Sequence, residues 1–384
     1  MSKLYQPTEE MYVAIDNFVD GSNLSIEAGA GTGKTTTLRH LALARRRSKG
    51  KYIVYNAAMK KDASEIFPKK VTCSTSHSLA WGPVGQFYNH RLEAPRMPAK
   101  EIAKILGIRE DIIVKGEGDR FLQLKPKAIA RLVMSAAAHR FPQSAHDEVQ
   151  PWMIEAPPGC NTAEARLELR EQLLPIVKRV WSEDLCLKTG RLPFNHDCYL
   201  KIWALTEPIL KGCDYILLDE AQDANPVMAQ IFDLQTQAQR VLVGDRCQAI
   251  YGWRGAVDAM AKFEREGVAT CRLTQSFRFG PTIASEANKF LSSLRSPLRL
   301  RGYSEIESEI ATVHYADAVL CRSNAGTVIE ALHELSLGRS VAVVGGTKQI
   351  RDLAHAAMDL KEGKGTDHRE LLAFTTWDEV REYA

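Results

Sequence analysis

The eight cysteines include no C-x-x-C pair, so the sequence offers no zinc or iron–sulfur framework, and thiols scattered in this way read as reduced. No apolar run of about 18 residues occurs and no signal-like pattern opens the chain, which points to a soluble, intracellular, cytoplasmic protein with no membrane contact. Excess charge of one sign is missing as well. With 50 Lys and Arg against 47 Asp and Glu, the net charge of +3 argues neither for nor against nucleic acid. A local basic run does occur from Arg39 to Lys51, with Arg45-Arg46-Arg47 inside it, and it reads as a solvated helix face. Internal repeats and low-complexity tracts are absent. What is present is 45% hydrophobic residues over 384 positions, enough for two or three packed domains.

The most specific feature is Ile26-Glu27-Ala28-Gly29-Ala30-Gly31-Thr32-Gly33-Lys34-Thr35, followed by Thr36-Thr37-Leu38. It reads as an apolar strand end, a glycine-rich turn and the opening of a helix. Such a turn lets consecutive N–H groups converge on an anion, and the helix N-terminus adds positive potential. Ala28 to Thr36 are therefore candidates for cradling the phosphates of a nucleotide. Lys34 would reach the β- and γ-phosphates, and the Thr35 hydroxyl would hold Mg²⁺. Ala28 occupies the position where the strict pattern has its first glycine.

Short apolar runs at 24–28, 52–56, 71–74, 215–219, 241–244 and 271–273 have the length and composition of buried parallel strands. The expected fold class is α/β, built on a parallel-sheet P-loop NTPase (RecA-like) domain. Between 82 and 206 helix formers dominate, punctuated by Pro and Gly, which suggests a mostly helical insertion. The expected domains are 1–81 with 207–275, the insertion 82–206, and a second α/β segment 276–384 with strand-like runs at 318–321 and 340–344.

Three further motifs carry chemistry. Tyr215-Ile216-Leu217-Leu218-Asp219-Glu220-Ala221-Gln222-Asp223 delivers acids at a strand end, where ligands bind in open α/β sheets. Asp219 is a candidate Mg²⁺ ligand, and Glu220 is placed to polarise an attacking water. In Gly244-Asp245-Arg246-Cys247-Gln248-Ala249-Ile250-Tyr251-Gly252-Trp253-Arg254-Gly255-Ala256, Gln248 is a candidate γ-phosphate sensor. Tyr251 and Trp253 offer faces on which bases can stack, or else they pack in the core. In Gln275-Ser276-Phe277-Arg278, Arg278 is a candidate arginine finger.

In this order the motifs resemble those of the UvrD/Rep-type superfamily 1 DNA helicases over nearly the whole chain. Within that group, Phe141-Pro142-Gln143-Ser144, Leu192 through Trp203 and Asp219 through Pro226 are similar to the F-box DNA helicase branch and its phage relatives. The resemblance implies ATP as fuel with Mg²⁺, hydrolysed by Lys34, Thr35, Asp219, Glu220, Gln248 and Arg278 with adenine stacked on Phe277. It implies a single strand lying along Tyr55, Asn56, His77, Tyr251, Trp253 and Arg254. It also implies that 276–384 is a partial second RecA-like domain. The implied activity is 3′→5′ movement with duplex unwinding on single-stranded DNA and DNA junctions, in the nucleus if the host is eukaryotic.

Two positions depart from the family pattern. Met11 falls where the family keeps an adenine-reading glutamine, with Gln6 nearby, and Ser76 replaces an aromatic. Motifs of the form H-x-x-K-G-x-E and V-A-x-T-R-A do not occur before Ala384. The chain therefore reads as truncated within a second motor domain, with a missing segment or separate chain supplying those motifs. The alternative expectation is an ATP- and DNA-binding module with little motor activity. A kinase or small GTPase would leave Gln248, Trp253 and Arg278 without a role.

Overall fold

The computed structural model describes residues 6–54, 56–95, 97–115, 121–157, 159–249, 259–344, 346–366, 368, 371 and 376–383. The chain divides into two compact units, one of residues 1–96, 137–149 and 181–310, the other of 97–136, 150–180 and 311–384.

The first unit is organised by a six-stranded sheet. Its strands are β1 (Leu24–Ala28), β2 (Gly50–Val54), β3 (Val71–Thr75), β6 (Tyr215–Leu218), β7 (Gln239–Gly244) and β8 (Ala269–Leu273). The order is β3-β2-β6-β7-β1-β8 and every pairing is parallel. Each of the six apolar runs anticipated from the sequence supplies a strand, the runs at 52–56 and 215–219 ending as strand at Val54 and Leu218. They were legible because a parallel sheet is covered on both faces: β1 and β6 are buried at every position. One face packs on the helices Glu9–Val19 and Lys34–Ala44 through Phe18, Leu38 and Leu41, and the Phe18 ring meets Tyr215 edge-on at 5.1 Å. From the basic run, Arg45 lies over the Phe18 ring at 5.4 Å, so part of that run packs on the core.

Because the strands are parallel, all their C-terminal ends lie along one edge. The loops leaving β1, β6, β7 and β8 there carry the phosphate loop, the acidic turn, Gln248 and the Gln275–Arg278 segment. Those leaving β2 and β3 carry Asn56 and His77. The topology thus brings candidate nucleotide residues and the strand-binding candidates Asn56 and His77 to a single edge.

The second unit contains the helices Ala99–Leu106, Pro126–Ser135 and Ala163–Val180 with a two-stranded antiparallel hairpin, β4 (Ile112–Lys115) and β5 (Phe121–Leu124). Later come the helices Asn324–Ser336, Lys348–Lys361 and Trp377–Tyr383. The strands expected at 318–321 and 340–344 are not formed: those residues are irregular. Apolar, β-branched composition does not make a strand without a neighbour to pair with, and here Leu320 is 98% exposed with no sheet partner among the described residues. No described helix is long and apolar enough to cross a membrane.

Candidate functional site

The phosphate loop follows β1 with the geometry its glycines predict. Gly31 and Gly33 take left-handed backbone conformations, φ +73° and +84°. A Cβ at Gly31 would lie 2.5 Å from Arg278 Cβ and 2.7 Å from Ser276 Oγ, so the loop and the 275–278 segment touch directly. Phe277 N also donates to Gly31 O at 2.9 Å. Gly29 to Thr36 line a cleft of about 490 Å³ whose other walls are Glu220, Gln248, Phe277 and Arg278. Ala28, the last residue of β1, is fully buried behind that cleft.

Within the cleft, Thr35 Oγ1 donates to Asp219 Oδ2 at 3.0 Å, and the Tyr52 hydroxyl donates to the same oxygen. Burial pushes the Asp219 carboxyl above the ordinary carboxylate range; the nearby charge of Glu220 adds to this, while hydrogen bonds from Tyr52 and Thr35 oppose it. Lys34 Nζ pairs with Glu220 Oε2 at 3.1 Å. Glu220 itself has φ +50°, a conformation a non-glycine residue rarely adopts and one that concentrates at functional sites. The donor set fits a nucleoside triphosphate with Mg²⁺: left-handed glycines open the loop, an ammonium stands at the helix start, and a hydroxyl and carboxylate adjoin as paired oxygen ligands.

Gln222 links the elements and was not anticipated as a site residue. Its Nε2 donates to Glu220 Oε2 at 2.8 Å, and its Oε1 accepts from Asp245 N at 3.0 Å. Asp245 in turn accepts from Gln248 Nε2 at 2.6 Å. The acidic turn and the Gln248 turn are therefore joined through one amide. Tyr52 was missed because, inside an apolar strand, it read as core; Gln222 lay within a motif but had no chemistry of its own to mark it. Met11 is buried with its Cε 3.1 Å from a Cβ built on Gly33, so this side chain packs against the phosphate loop, whereas Gln6 is exposed.

A second cavity, of about 270 Å³, lies along the same edge. Ser76, His77, Gln143 and Asp197 line it together with Asp219, Glu220, Asp223 and Asn225. His77 sits on the helix Ser76–Trp81 directly after β3, with its Nε2 3.0 Å from Asp197 Oδ1. Asn56 caps the helix Ala57–Ile66, its Oδ1 accepting from Met59 N at 2.9 Å. Tyr55, Tyr251, Trp253 and Arg254 lie outside the described residues.

Residues 57–266 match the family model of the UvrD/REP helicase N-terminal domain. Among curated proteins, the chain is 29% identical over 381 residues to F-box DNA helicase protein 1 of Schizosaccharomyces pombe, covering 94% of this chain and 43% of that protein. It is 31% identical over 274 residues to F-box DNA helicase 1 of Gallus gallus, covering 69% of this chain and 25% of the relative. A shorter match, 32% over 120 residues, reaches ATP-dependent DNA helicase PcrA of Staphylococcus aureus, 30% of this chain and 16% of PcrA. The chain thus spans less than half the length of the relatives it matches.

Proposed function

Because the chain belongs to the UvrD/REP helicase family, we propose that it is a superfamily 1 DNA helicase or translocase, hydrolysing ATP with Mg²⁺ to move 3′→5′ along single-stranded DNA and open duplexes and junctions. The observation that supports this best is the joining of the phosphate loop, the acidic turn, Gln248 and Arg278 around one cleft, with candidate strand-binding residues on the same sheet edge.

In this reading the loop N–H groups and Lys34 hold the triphosphate, and Phe277, 44% exposed at the cleft wall, stacks on the base. Thr35 and Asp219 hold Mg²⁺, which when bound neutralises charge on the phosphate oxygens. Lys34 pairs with Glu220 at 3.1 Å, and drawing Lys34 to the phosphates would free Glu220 to accept a proton from the attacking water. Gln222 keeps Glu220 in place through that exchange and ties it to Asp245 and Gln248. Arg278 supplies positive charge to the transferring phosphoryl group. Asn56, His77, Tyr55, Tyr251, Trp253 and Arg254 follow the strand. Domains at 1–81 with 207–275, 82–206 and 276–384 belong to the same reading.

Strand displacement tests it. A duplex with a 3′ single-stranded tail should be opened in the presence of ATP and Mg²⁺, and one with only a 5′ tail should not. Displacement from the 5′ tail alone would reverse the assigned direction. Binding of both ligands with no displacement from either would favour the alternative, a nucleotide- and DNA-binding module without motor activity.

A further inference from the structure

Asp197 is an unusual place for a carboxylate. It lies in the first turn of the helix His196–Ala204, whose N-cap Asn195 accepts from Asp197 N at 2.9 Å and from Cys198 N at 3.2 Å. Burial would raise its carboxyl, but hydrogen bonds from His77 and Gln143 outweigh that and hold it below the ordinary range. The helix N-terminus favours the charge as well. Its two oxygens are divided, Oδ1 to His77 Nε2 at 3.0 Å and Oδ2 to Gln143 Nε2 at 2.8 Å. An asparagine could accept only one of these bonds through oxygen and would bring no charge behind the ring.

The histidine it grips is not a core residue. Its side chain is 36% exposed at the rim of the second cavity, and Nδ1 has no hydrogen-bond partner among the described residues. Rings of His196 and Tyr199 stand edge-on to it at 6.1 and 6.0 Å and restrict its rotation. With Nε2 committed to Asp197, the other nitrogen is the one that can address a ligand, the arrangement by which a carboxylate fixes which face of an imidazole does the work. A ring that donates from both nitrogens is positive, and a carboxylate behind it offsets that charge. The same cavity is lined by Glu220 and Asp223, whose charges repel an anion, so a phosphate would be kept at the exposed side of the ring rather than inside.

Resting on the single-strand reading above, we infer that Asp197, braced by Gln143, is a positioning residue that orients His77 to donate from Nδ1 to a backbone phosphate of single-stranded DNA. Three segments far apart in sequence, 76–81, 141–143 and 196–204, meet to build this one contact.

The test is a double-mutant cycle on the full chain, reading fluorescence anisotropy of a labelled oligo-dT and, separately, affinity for a fluorescent ADP analogue. His77→Ala and Asp197→Ala should each weaken oligo-dT binding about 10-fold, as loss of a charge-assisted contact does. The double variant should be no weaker than the worse single one, because Asp197 acts only through His77. Gln143→Leu should cost less and have no effect in the His77→Ala background. Asp197→Glu should recover part of the loss. An unchanged ADP-analogue affinity shows that each variant is folded, and Gln143→Leu serves the cycle if Asp197→Ala is not. Multiplied losses of about 100-fold in the double variant, or tight binding by Asp197→Ala and Gln143→Leu, would overturn the positioning role alone. A parent chain that binds the ADP analogue but no oligo-dT would overturn the DNA reading and this inference with it.

Discussion

Replacing Asp219 with asparagine should stabilise the nucleotide-free protein while abolishing hydrolysis. The carboxylate is 3% exposed and accepts from Thr35, Tyr52 and Glu220 N, yet among the described residues no cation pairs with it directly. Its folded pKa is raised, by burial first and by Glu220 next among the causes that raise it, so folding disfavours its charged form. The sign follows: its contribution to stability is fully present below the unfolded carboxylate pKa and is lost as pH rises through the folded value. At neutral pH the parent therefore carries an unfavourable buried charge that asparagine removes, and the two hydroxyls can rotate to suit the amide. A gain of about 1–2 kcal/mol is the usual size for relieving a functional-site compromise, which at roughly 2–4 °C per kcal/mol raises Tm by about 2–8 °C. Differential scanning fluorimetry reads this, and the gain should shrink as pH falls toward the ordinary carboxylate range. Addition of Mg²⁺ and a non-hydrolysable ATP analogue should reverse the ranking, since only the parent keeps the full metal-binding pair. A lower Tm for the variant at neutral pH, or hydrolysis at the parent rate, would refute the assignment of Asp219 as a buried, metal-directed carboxylate.

Gly31→Ala should weaken nucleotide binding by about 10-fold or more, because a side chain at φ +73° costs about 1–2 kcal/mol and its Cβ would collide with Arg278 Cβ, which cannot swing away. Titration of a fluorescent ATP analogue checks it, and parent-like affinity would mean the 275–278 segment yields freely. Arg278→Ala should lower kcat by about 10³-fold or more while leaving nucleotide affinity within a few-fold; equal losses in both would make it a binding residue instead. Trp253→Ala should cost about 1–3 kcal/mol of oligo-dT affinity with ATP binding intact, and an unchanged affinity would place that ring in the core.

The fold was legible where burial leaves a mark in composition. The sheet was legible where a strand is apolar along its buried length, as in Tyr215–Leu218 and at 241–243, and motifs sit where strands end, as at Ala28 and Leu218. The runs at 318–321 and 340–344 carry the same composition and are not strands, since pairing is a property of neighbours that a single segment cannot encode. The hairpin Ile112–Lys115 with Phe121–Leu124 was the converse case: its strands have four residues each and little more than Val114 and Leu124 fully buried, too weak a pattern to stand out among helix formers. Lys34, Thr35 and Glu220, whose chemistry is intrinsic, could be placed at the cleft from their motifs. Those that act by joining others could not: Gln222 and Asp197 become visible only when segments distant in sequence are brought together.

The central claim is that one cleft hydrolyses ATP in response to a single strand bound along the same sheet edge. Steady-state ATP hydrolysis by this chain, with and without oligo-dT and beside Lys34→Ala, tests it most directly. The account predicts turnover that oligo-dT stimulates and that Lys34→Ala reduces to background. Turnover indifferent to the strand, or retained in Lys34→Ala, would contradict it.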